Sequence, residues 1–375
     1  MDNNNNTNEN NTNENKVNKI DHSIEAPEAN GVKRRHRARN WVMALGAAAL
    51  VPVAARAAEV RLRRMEDPEA GEVLSEPLGE KGHYVKSFDG VRIYTEELGD
   101  GPTLVLVHGW FCNTDMWHYQ KKLLADSYRL VCFDQRGHRR SECPDCDGIS
   151  LETLARDLKA VLDDCVTDGG AVLIGHSMGG ISILKYLEMF PEDIGARVKG
   201  VGLVDTTHMP MNETMMGGRA LDPLQDKVVE PLIRWVTNHP GLADGLKKTL
   251  VKTTPFLLAT RYLGYGSRAS LTHMEYIQEM AGKTTMKGAC LAGLGLLANE
   301  KEIDLEPLRL SGIPVLIWVG EKDKLTLPEV SIRMKEKLPR ADFHLVLDTG
   351  HPSYMEEYGL FNETVKELAG DAFEK

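Results

Sequence analysis

The side chains best suited to chemistry are a serine, a histidine and two aspartates, each at the end of an apolar run. Ser177 lies in "LIGHSMGG" (173–180), where GHSMG fits the G-x-S-x-G pattern of a nucleophile elbow between a strand and a helix. A serine hydroxyl becomes a nucleophile only when a base takes its proton and an acid orients that base. Asp323 and His351 follow in the order serine, aspartate, histidine that accompanies an elbow serine. Asp205 ends an earlier run and is the alternative acid.

Six continuous apolar runs have the composition of strands buried on both faces. They are "TLVLVHG" (103–109), "YRLVCFDQRG" (128–137), "AVLIGHS" (171–177), "VKGVGLVDTT" (198–207), "IPVLIWVGEKD" (313–323) and "DFHLVLDTGH" (342–351). Helical patterns separate them, which predicts an α/β fold with a mostly parallel sheet and helices on both faces. In such sheets the ligand site forms beyond the carboxyl ends of the strands, where the candidate residues fall. Before the first run, "HYVKSFDGVRIYTEEL" predicts a β-hairpin around Asp89-Gly90.

One long segment interrupts this alternation. Residues 208–305 contain helical patterns and no buried-strand run, and a structureless loop of that length would be implausible in a compact domain. We expect a helical cap there, inserted between core segments 80–207 and 306–375. Its methionines in "HMPMNETMMGG" suit an adaptable apolar wall over an acyl pocket, although they suit the cap's own core equally well.

The N-terminal region differs in composition from the rest. Residues 1–32 are rich in Asn, Thr and Glu and are predicted to be disordered. Residues 33–65 combine a basic run with the apolar stretch "WVMALGAAALVPVAA", which is shorter than the ~20 residues of a comfortable bilayer span but suits a signal-peptide core. We expect membrane anchoring or association through residues 33–58, or export; the alternative is a soluble, cytoplasmic chain in which an Ala-rich helix packs on the domain. The side of the membrane stays open.

Composition excludes several classes of function. The chain has 375 residues and a net charge of −10, whereas a nucleic-acid partner would require clustered Lys and Arg on the folded domain. The pair Cys143 and Cys146 has no second pair or histidine cluster at zinc-site spacing. Because a phosphate loop and a dinucleotide fingerprint are also missing from the sequence, we expect neither a metal nor a cofactor.

From about residue 80 to its end the chain resembles the α/β-hydrolase superfamily. The motifs that carry the resemblance are "HGW" (108–110), "DQRGHRRS" (134–141), "GHSMGG" (175–180), "GEKD" (320–323) and "GH" (350–351). Among its members the chain is similar to serine esterases and cofactor-free haloperoxidases or perhydrolases. The resemblance implies an oxyanion hole formed by the backbone N–H groups of Trp110 and Met178. Two departures are Arg139, where the family usually carries glycine, and Pro352, directly after "GH".

These observations predict a serine hydrolase that cleaves a carboxylic ester, with an apolar acyl group preferred. The catalytic residues would be Ser177, Asp323 and His351. Open alternatives are a perhydrolase or haloperoxidase, a hydrolase of activated C–C bonds, an acyltransferase and a non-catalytic ligand-binding module. Aspartate-dependent dehalogenases and epoxide hydrolases of this fold are disfavoured, because the elbow residue here is serine. The sequence does not indicate an oligomeric state. We expect His108 and His176 to support loops and His138 and His344 to lie on the surface.

Overall fold

The fold is taken from a computed structural model. It describes residues 55–64, 67–74, 78, 82–145, 148–166, 169–218, 225–267 and 269–374. The predicted disordered tail and most of the predicted membrane-associated segment therefore lie outside the described residues, as does Cys146. Among the helices that are described, none is both long enough and apolar enough to cross a membrane.

The core is one eight-stranded sheet with the spatial order β1-β2-β4-β3-β5-β6-β7-β8. The strands are β1 (His83–Lys86), β2 (Arg92–Leu98), β3 (Thr103–Val107), β4 (Arg129–Phe133), β5 (Ala171–His176), β6 (Val198–Val204), β7 (Val315–Gly320) and β8 (Asp342–Val346). Strand β2 pairs antiparallel with β1 and β4, and all later pairs are parallel. The predicted hairpin and the mostly parallel sheet are confirmed.

Helices cover both faces of the sheet. They are α1 (55–62), α2 (His118–Leu124), α3 (Leu151–Cys165), α4 (Met178–Met189), α5 (Met211–Thr214), α6 (Glu230–Asn238), α7 (Pro240–Leu250), α8 (Thr254–Gly264), α9 (Leu271–Lys283), α10 (Met286–Leu297), α11 (Glu306–Ser311), α12 (Pro328–Lys337), α13 (Ser353–Glu356) and α14 (Tyr358–Phe373). Short 3₁₀ turns at Thr114–Trp117 and Pro191–Asp193 and a π-helical turn at Gln225–Val229 complete the set.

Burial on both faces explains why the central strands read as continuous apolar runs. Along β3, Val105 and Val107 pack into the core layer that contains α3 and α4. Leu104 and Leu106 point to the opposite layer, which α14 covers. Since alternate side chains of a strand face opposite sides of the sheet, every position of such a strand must be apolar.

Between β6 and β7 the described residues form helices α5 to α11 and no strand. The first described helix, α1, packs against this helical segment. Leu62 is buried with Leu257 and Met274, and the Thr254 hydroxyl donates to the Glu59 carboxylate. Helix α1 therefore lies on the helices between β6 and β7.

Candidate active site

Ser177 occupies a sharp turn between strand β5 and helix α4. Its backbone has φ 52° and ψ −120°, in the left-handed half of conformational space that L-residues rarely adopt. The flanking glycines make the turn possible, because a Cβ on Gly179 would lie 2.1 Å from the Val107 carbonyl oxygen. A Cβ on Gly175 would lie 2.6 Å from the backbone of Gly179. The turn has the strained geometry that the G-x-S-x-G spacing predicts.

His351 and Asp323 come together after β8 and β7. His351 Nδ1 lies 2.8 Å from Asp323 Oδ2, and because a carboxylate can only accept, this nitrogen carries the hydrogen. The other carboxylate oxygen accepts from the backbone N–H groups of Leu325 at 2.8 Å and Thr326 at 2.9 Å. The Thr326 hydroxyl donates to Asp323 Oδ2 at 2.7 Å. The buried carboxylate is thereby fixed against the histidine, whose Nε2 is left as the ring's proton acceptor.

Asp205, the alternative acid, does not contact His351. Its Oδ1 accepts from the Gly320 N–H at 2.8 Å, and its Oδ2 accepts from the Ser353 N–H at 3.2 Å and hydroxyl at 2.5 Å. Complete burial and the neighbouring charge of Asp323 raise the pKa of Asp205 well above its usual range. This carboxyl joins the end of β7 to α13, and Asp323 holds the position beside the histidine.

Ser177 and His351 are joined through His176. The His176 ring lies 4.7 Å from the His351 ring, centroid to centroid, and its Nε2 donates to the His351 carbonyl at 3.0 Å. Between the described side chains of Ser177 and His351 no direct hydrogen bond forms. Such a bond commonly tightens only when substrate is bound.

Two backbone N–H groups at this site are free to bind an anion. Met178 is the first residue of α4, where helical N–H groups lack a partner and the helix dipole favours negative charge. Trp110 follows β3 in the neighbouring loop. Within the described part of the chain neither N–H donates to a protein acceptor. The Trp110 indole, 43% exposed, donates to the Ala289 carbonyl of α10 at 2.7 Å and so links this loop to the cap.

His108 and His176 have the structural role that the sequence predicts. His108 Nδ1 bonds to the Gly109 carbonyl at 2.7 Å, and its Nε2 accepts from the Gln135 N–H at 2.8 Å. Burial lowers the pKa of both histidines well below the usual range, so that both are neutral at pH 7. They tie together the loops on which the site is built.

In the loop of the "DQRGHRRS" motif, one prediction is wrong, and the structure shows how Arg139 is accommodated where the family usually carries glycine. The sequence predicts His138 at the surface, but the residue is completely buried, and this burial lowers its pKa to about 4. Arg139 takes the left-handed φ of 40° that a glycine would adopt there. Its guanidinium pairs with the Asp115 carboxylate at 2.5 Å and donates to Asn113 at 3.1 Å. His344, also predicted at the surface, is partly exposed.

Sequence reasoning missed the residues that connect the histidine loop to the cap. The His351 N–H donates to the Gly264 carbonyl at 2.6 Å. The Glu356 carboxylate accepts from the Gly350 N–H at 2.6 Å and from the Gly266 N–H at 3.3 Å. Burial raises the pKa of Glu356 to about 7. Nothing in "YMEEYG" distinguishes this glutamate, because its partners on the cap are remote in sequence.

Three side chains of metal-ligand type lie close together away from these residues. Among the described residues, the ligand atoms of His83, Asp164 and Cys165 lie within 4.8 Å of one another. Two of the three side chains are exposed, and burial raises the pKa of the Cys165 thiol to about 12, which disfavours the thiolate that binds metals. None of the three residues belongs to the Ser177 site.

A profile of the alpha/beta hydrolase fold family matches residues 102–358. The chain belongs to this family. The predicted superfamily and fold class are confirmed, and the matched range includes Ser177, Asp323 and His351.

Several proteins resemble the chain at low sequence identity. An AB hydrolase superfamily protein, YisY of Bacillus subtilis, is 22% identical over 77% of this chain and 99% of its own length. The bifunctional esterase/perhydrolase DCH of Acinetobacter calcoaceticus is 26% identical over 68% of this chain and 87% of its own. The structure of a thermophilic esterase from Thermogutta terrifontis superimposes with a TM-score of 0.62 at 22% identity, covering 78% of this chain and all of that one. This last similarity shows the shared fold.

Proposed function

We propose that the protein is a serine hydrolase that cleaves carboxylic esters through an acyl-enzyme. The observation that carries the proposal is the 2.8 Å contact between Asp323 and His351, next to a serine held at a strained elbow. A serine becomes reactive when a histidine, oriented by a carboxylate, can take its proton. The elbow places the serine at the carboxyl edge of the parallel strands. Similarity to the bifunctional esterase/perhydrolase DCH of Acinetobacter calcoaceticus supports the same reaction class.

In the proposed reaction, His351 Nε2 takes the proton of the Ser177 hydroxyl as Oγ attacks the ester carbonyl carbon. The negative charge that develops on the carbonyl oxygen is stabilised by the N–H groups of Trp110 and Met178, which have no other acceptor in the described chain. The histidine then gives its proton to the leaving alcohol. Water, deprotonated by the same histidine, attacks the acyl-enzyme, and the histidine returns the proton to Ser177 Oγ as the carboxylic acid leaves. Asp323 stabilises the imidazolium that forms in each half-reaction.

The substrate we propose is a small-molecule ester with an apolar acyl group. The cap carries methionine-rich and leucine-rich segments, which are flexible enough to line an adaptable apolar wall. We also propose that residues 33–58 associate with a membrane, on the basis of their basic and apolar composition.

Hydrolysis of p-nitrophenyl esters from acetate to dodecanoate tests the proposal. The full chain and its Ser177→Ala variant would be assayed side by side, with Ser182→Ala as the matched control, since Ser182 is a buried serine of α4 that bonds to Gln135. We expect hydrolysis by the wild type and the control, and at least roughly a thousandfold loss in Ser177→Ala. Equal rates for wild type and Ser177→Ala would refute the proposal.

A perhydrolase activity is the second candidate, because the relative from Acinetobacter calcoaceticus carries both activities in its name. Hydrogen peroxide would replace water in the second step, so that the acyl-enzyme is released as a peracid. Adding peroxide to the esterase assay and measuring peracid oxidation of a halide distinguishes the two. Peracid formed at the expense of carboxylic acid supports this activity; unchanged acid release excludes it.

A further inference from the structure

The helix α7 of the cap exposes a row of leucines with no partner in the described chain. Leu242, Leu246 and Leu250 are spaced four residues apart and are 63%, 52% and 49% exposed. Residues at this spacing lie along one face of a helix. Ala243 and the stem of Lys247, each one residue after a leucine of this row and so about 100° further round the helix, are buried. We call the three leucines the leucine face.

The preceding helix, α6, also exposes large apolar side chains. On α6, Leu232 is 58% exposed and Trp235 39% exposed, whereas Ile233 and Val236 are buried. A helix that buries one apolar face against its domain and exposes a second one has a surface suited to another apolar phase. Tryptophan is the residue most typical of the boundary between such a phase and water.

The exposed charges of α6, α7 and the residues that follow them in sequence have one sign. From residue 227 to 263, a range that is entirely described, every charged side chain classed as exposed is basic: Lys227, Arg234, Lys248 and Lys252. The acids of this range, Glu230 and Asp244, are partly buried, and Asp244 accepts from the Met286 N–H at 2.7 Å. This local excess of positive charge stands out in a chain with a net charge of −10. An apolar row flanked by lysines is typical of helices that lie on anionic membranes.

The part of the chain that precedes the described residues also has a composition typical of membrane association. Helix α1 is fixed beside the end of α7, because Glu59 accepts from Thr254, four residues after Leu250. The chain immediately before α1 contains the uncharged apolar stretch 41–54 and the basic run 33–39. The basic run 33–39 and the exposed lysines of the cap carry charges of the same sign and repel each other. Anionic phosphates attract both groups.

We infer that the leucine face docks on the surface of a bilayer containing anionic phospholipids, with its leucines among the acyl chains and Lys248 and Lys252 at the phosphates. The occupant is the lipid surface, in preference to a second copy of the chain, because identical lysine-flanked faces would repel each other. Docking of this kind brings the cap, and the site beneath it, to the membrane. The inference does not require the proposed function to be correct.

Partition of the full-length chain onto lipid vesicles tests the inference. Flotation with phosphatidylcholine vesicles, with and without phosphatidylglycerol, would compare the wild type with the variant L242Q/L246Q/L250Q. The matched control is L310Q/L347Q/L360Q, which changes three leucines of similar exposure outside the cap. We expect the leucine-face variant to partition about tenfold or more weakly onto the anionic vesicles, and the control to behave as wild type.

Charge reversal provides a second, independent variant. Lys248→Glu with Lys252→Glu is expected to weaken partition onto anionic vesicles by roughly tenfold or more and to leave partition onto neutral vesicles unchanged. Equal partition of the wild type and the leucine-face variant overturns the inference, because the region before residue 55 would then account for all binding. A wild-type oligomer that the leucine-face variant dissociates also overturns it. Hydrolysis of a soluble ester, measured on the same samples, reports separately on the proposed function.

Discussion

Asparagine substitutions of the two aspartates at the site should have opposite consequences. Asp323→Asn preserves shape but places an amide N–H or a neutral oxygen beside His351 Nδ1, 2.8 Å away. Because Asp323 Oδ1 accepts from two backbone N–H groups, the asparagine oxygen will take that place and its NH₂ will face the histidine. Nδ1 must then accept, and the proton moves to Nε2, where it blocks removal of the serine proton.

A histidine in the wrong tautomer should lower kcat roughly 10⁴-fold, which is about 5.5 kcal/mol at about 1.4 kcal/mol per tenfold. Asp205→Asn removes no contact to His351. It leaves one of the three hydrogen bonds from Gly320 and Ser353 unsatisfied, which should lower the free energy of unfolding by about 1–3 kcal/mol. We expect the activity of folded Asp205→Asn to stay within roughly tenfold of the wild type.

Initial rates of ester hydrolysis and urea unfolding curves, both at pH 7.5, measure the two effects on the same preparations. Asp323→Asn should lose activity without a comparable loss of stability, and Asp205→Asn should show the reverse. Full activity in Asp323→Asn together with an inactive but folded Asp205→Asn would refute the assignment of the acid.

Two further predictions concern the frame of the site. Raising the pH from 5 to 8 should lower the wild-type free energy of unfolding by about 2–3 kcal/mol through Glu356. The reason is that the Glu356 carboxyl loses its proton near the ordinary glutamate pKa of 4.5 in the unfolded chain, but only near pH 7 in the folded chain. Glu356→Gln should remove this part of the pH dependence in urea unfolding, and parallel pH profiles of variant and wild type would contradict the prediction. Gly179→Ala should lower stability by about 3 kcal/mol or prevent folding, since its Cβ would lie 2.1 Å from the Val107 oxygen; the control Gly370→Ala, with open space around it, should melt no lower than the wild type.

The sheet could be predicted from the sequence because its signal is local. A strand buried on both faces must be apolar at every position, so "TLVLV" and "VLIWVG" identify β3 and β7 without knowledge of their neighbours. The elbow is local as well, since Gly175, Ser177 and Gly179 fall within five residues. Because the candidate residues follow the carboxyl ends of parallel strands, the sequence also predicts that they lie at the same edge of the sheet.

Choices that depend on loop geometry could not be made from sequence. Asp205 and Asp323 both end parallel strands, and only the turn that places Thr326 against Asp323 decides which carboxyl meets the histidine. His138 lies among arginines, a pattern that favours exposure. Those arginines form ion pairs with acidic residues of other elements, as Arg136 does with Asp157, and the histidine between them is buried.

Reaction with a fluorophosphonate tests the central claim most directly, since this reagent forms a covalent bond only with an activated serine. Intact mass and peptide mapping would be measured on the wild-type chain, on Ser177→Ala and on the control Ser182→Ala. We expect one phosphonyl group, located on Ser177, in the wild type and the control, and none in Ser177→Ala. A wild-type chain that stays unlabelled, or a Ser177→Ala variant labelled at the wild-type rate, would contradict it.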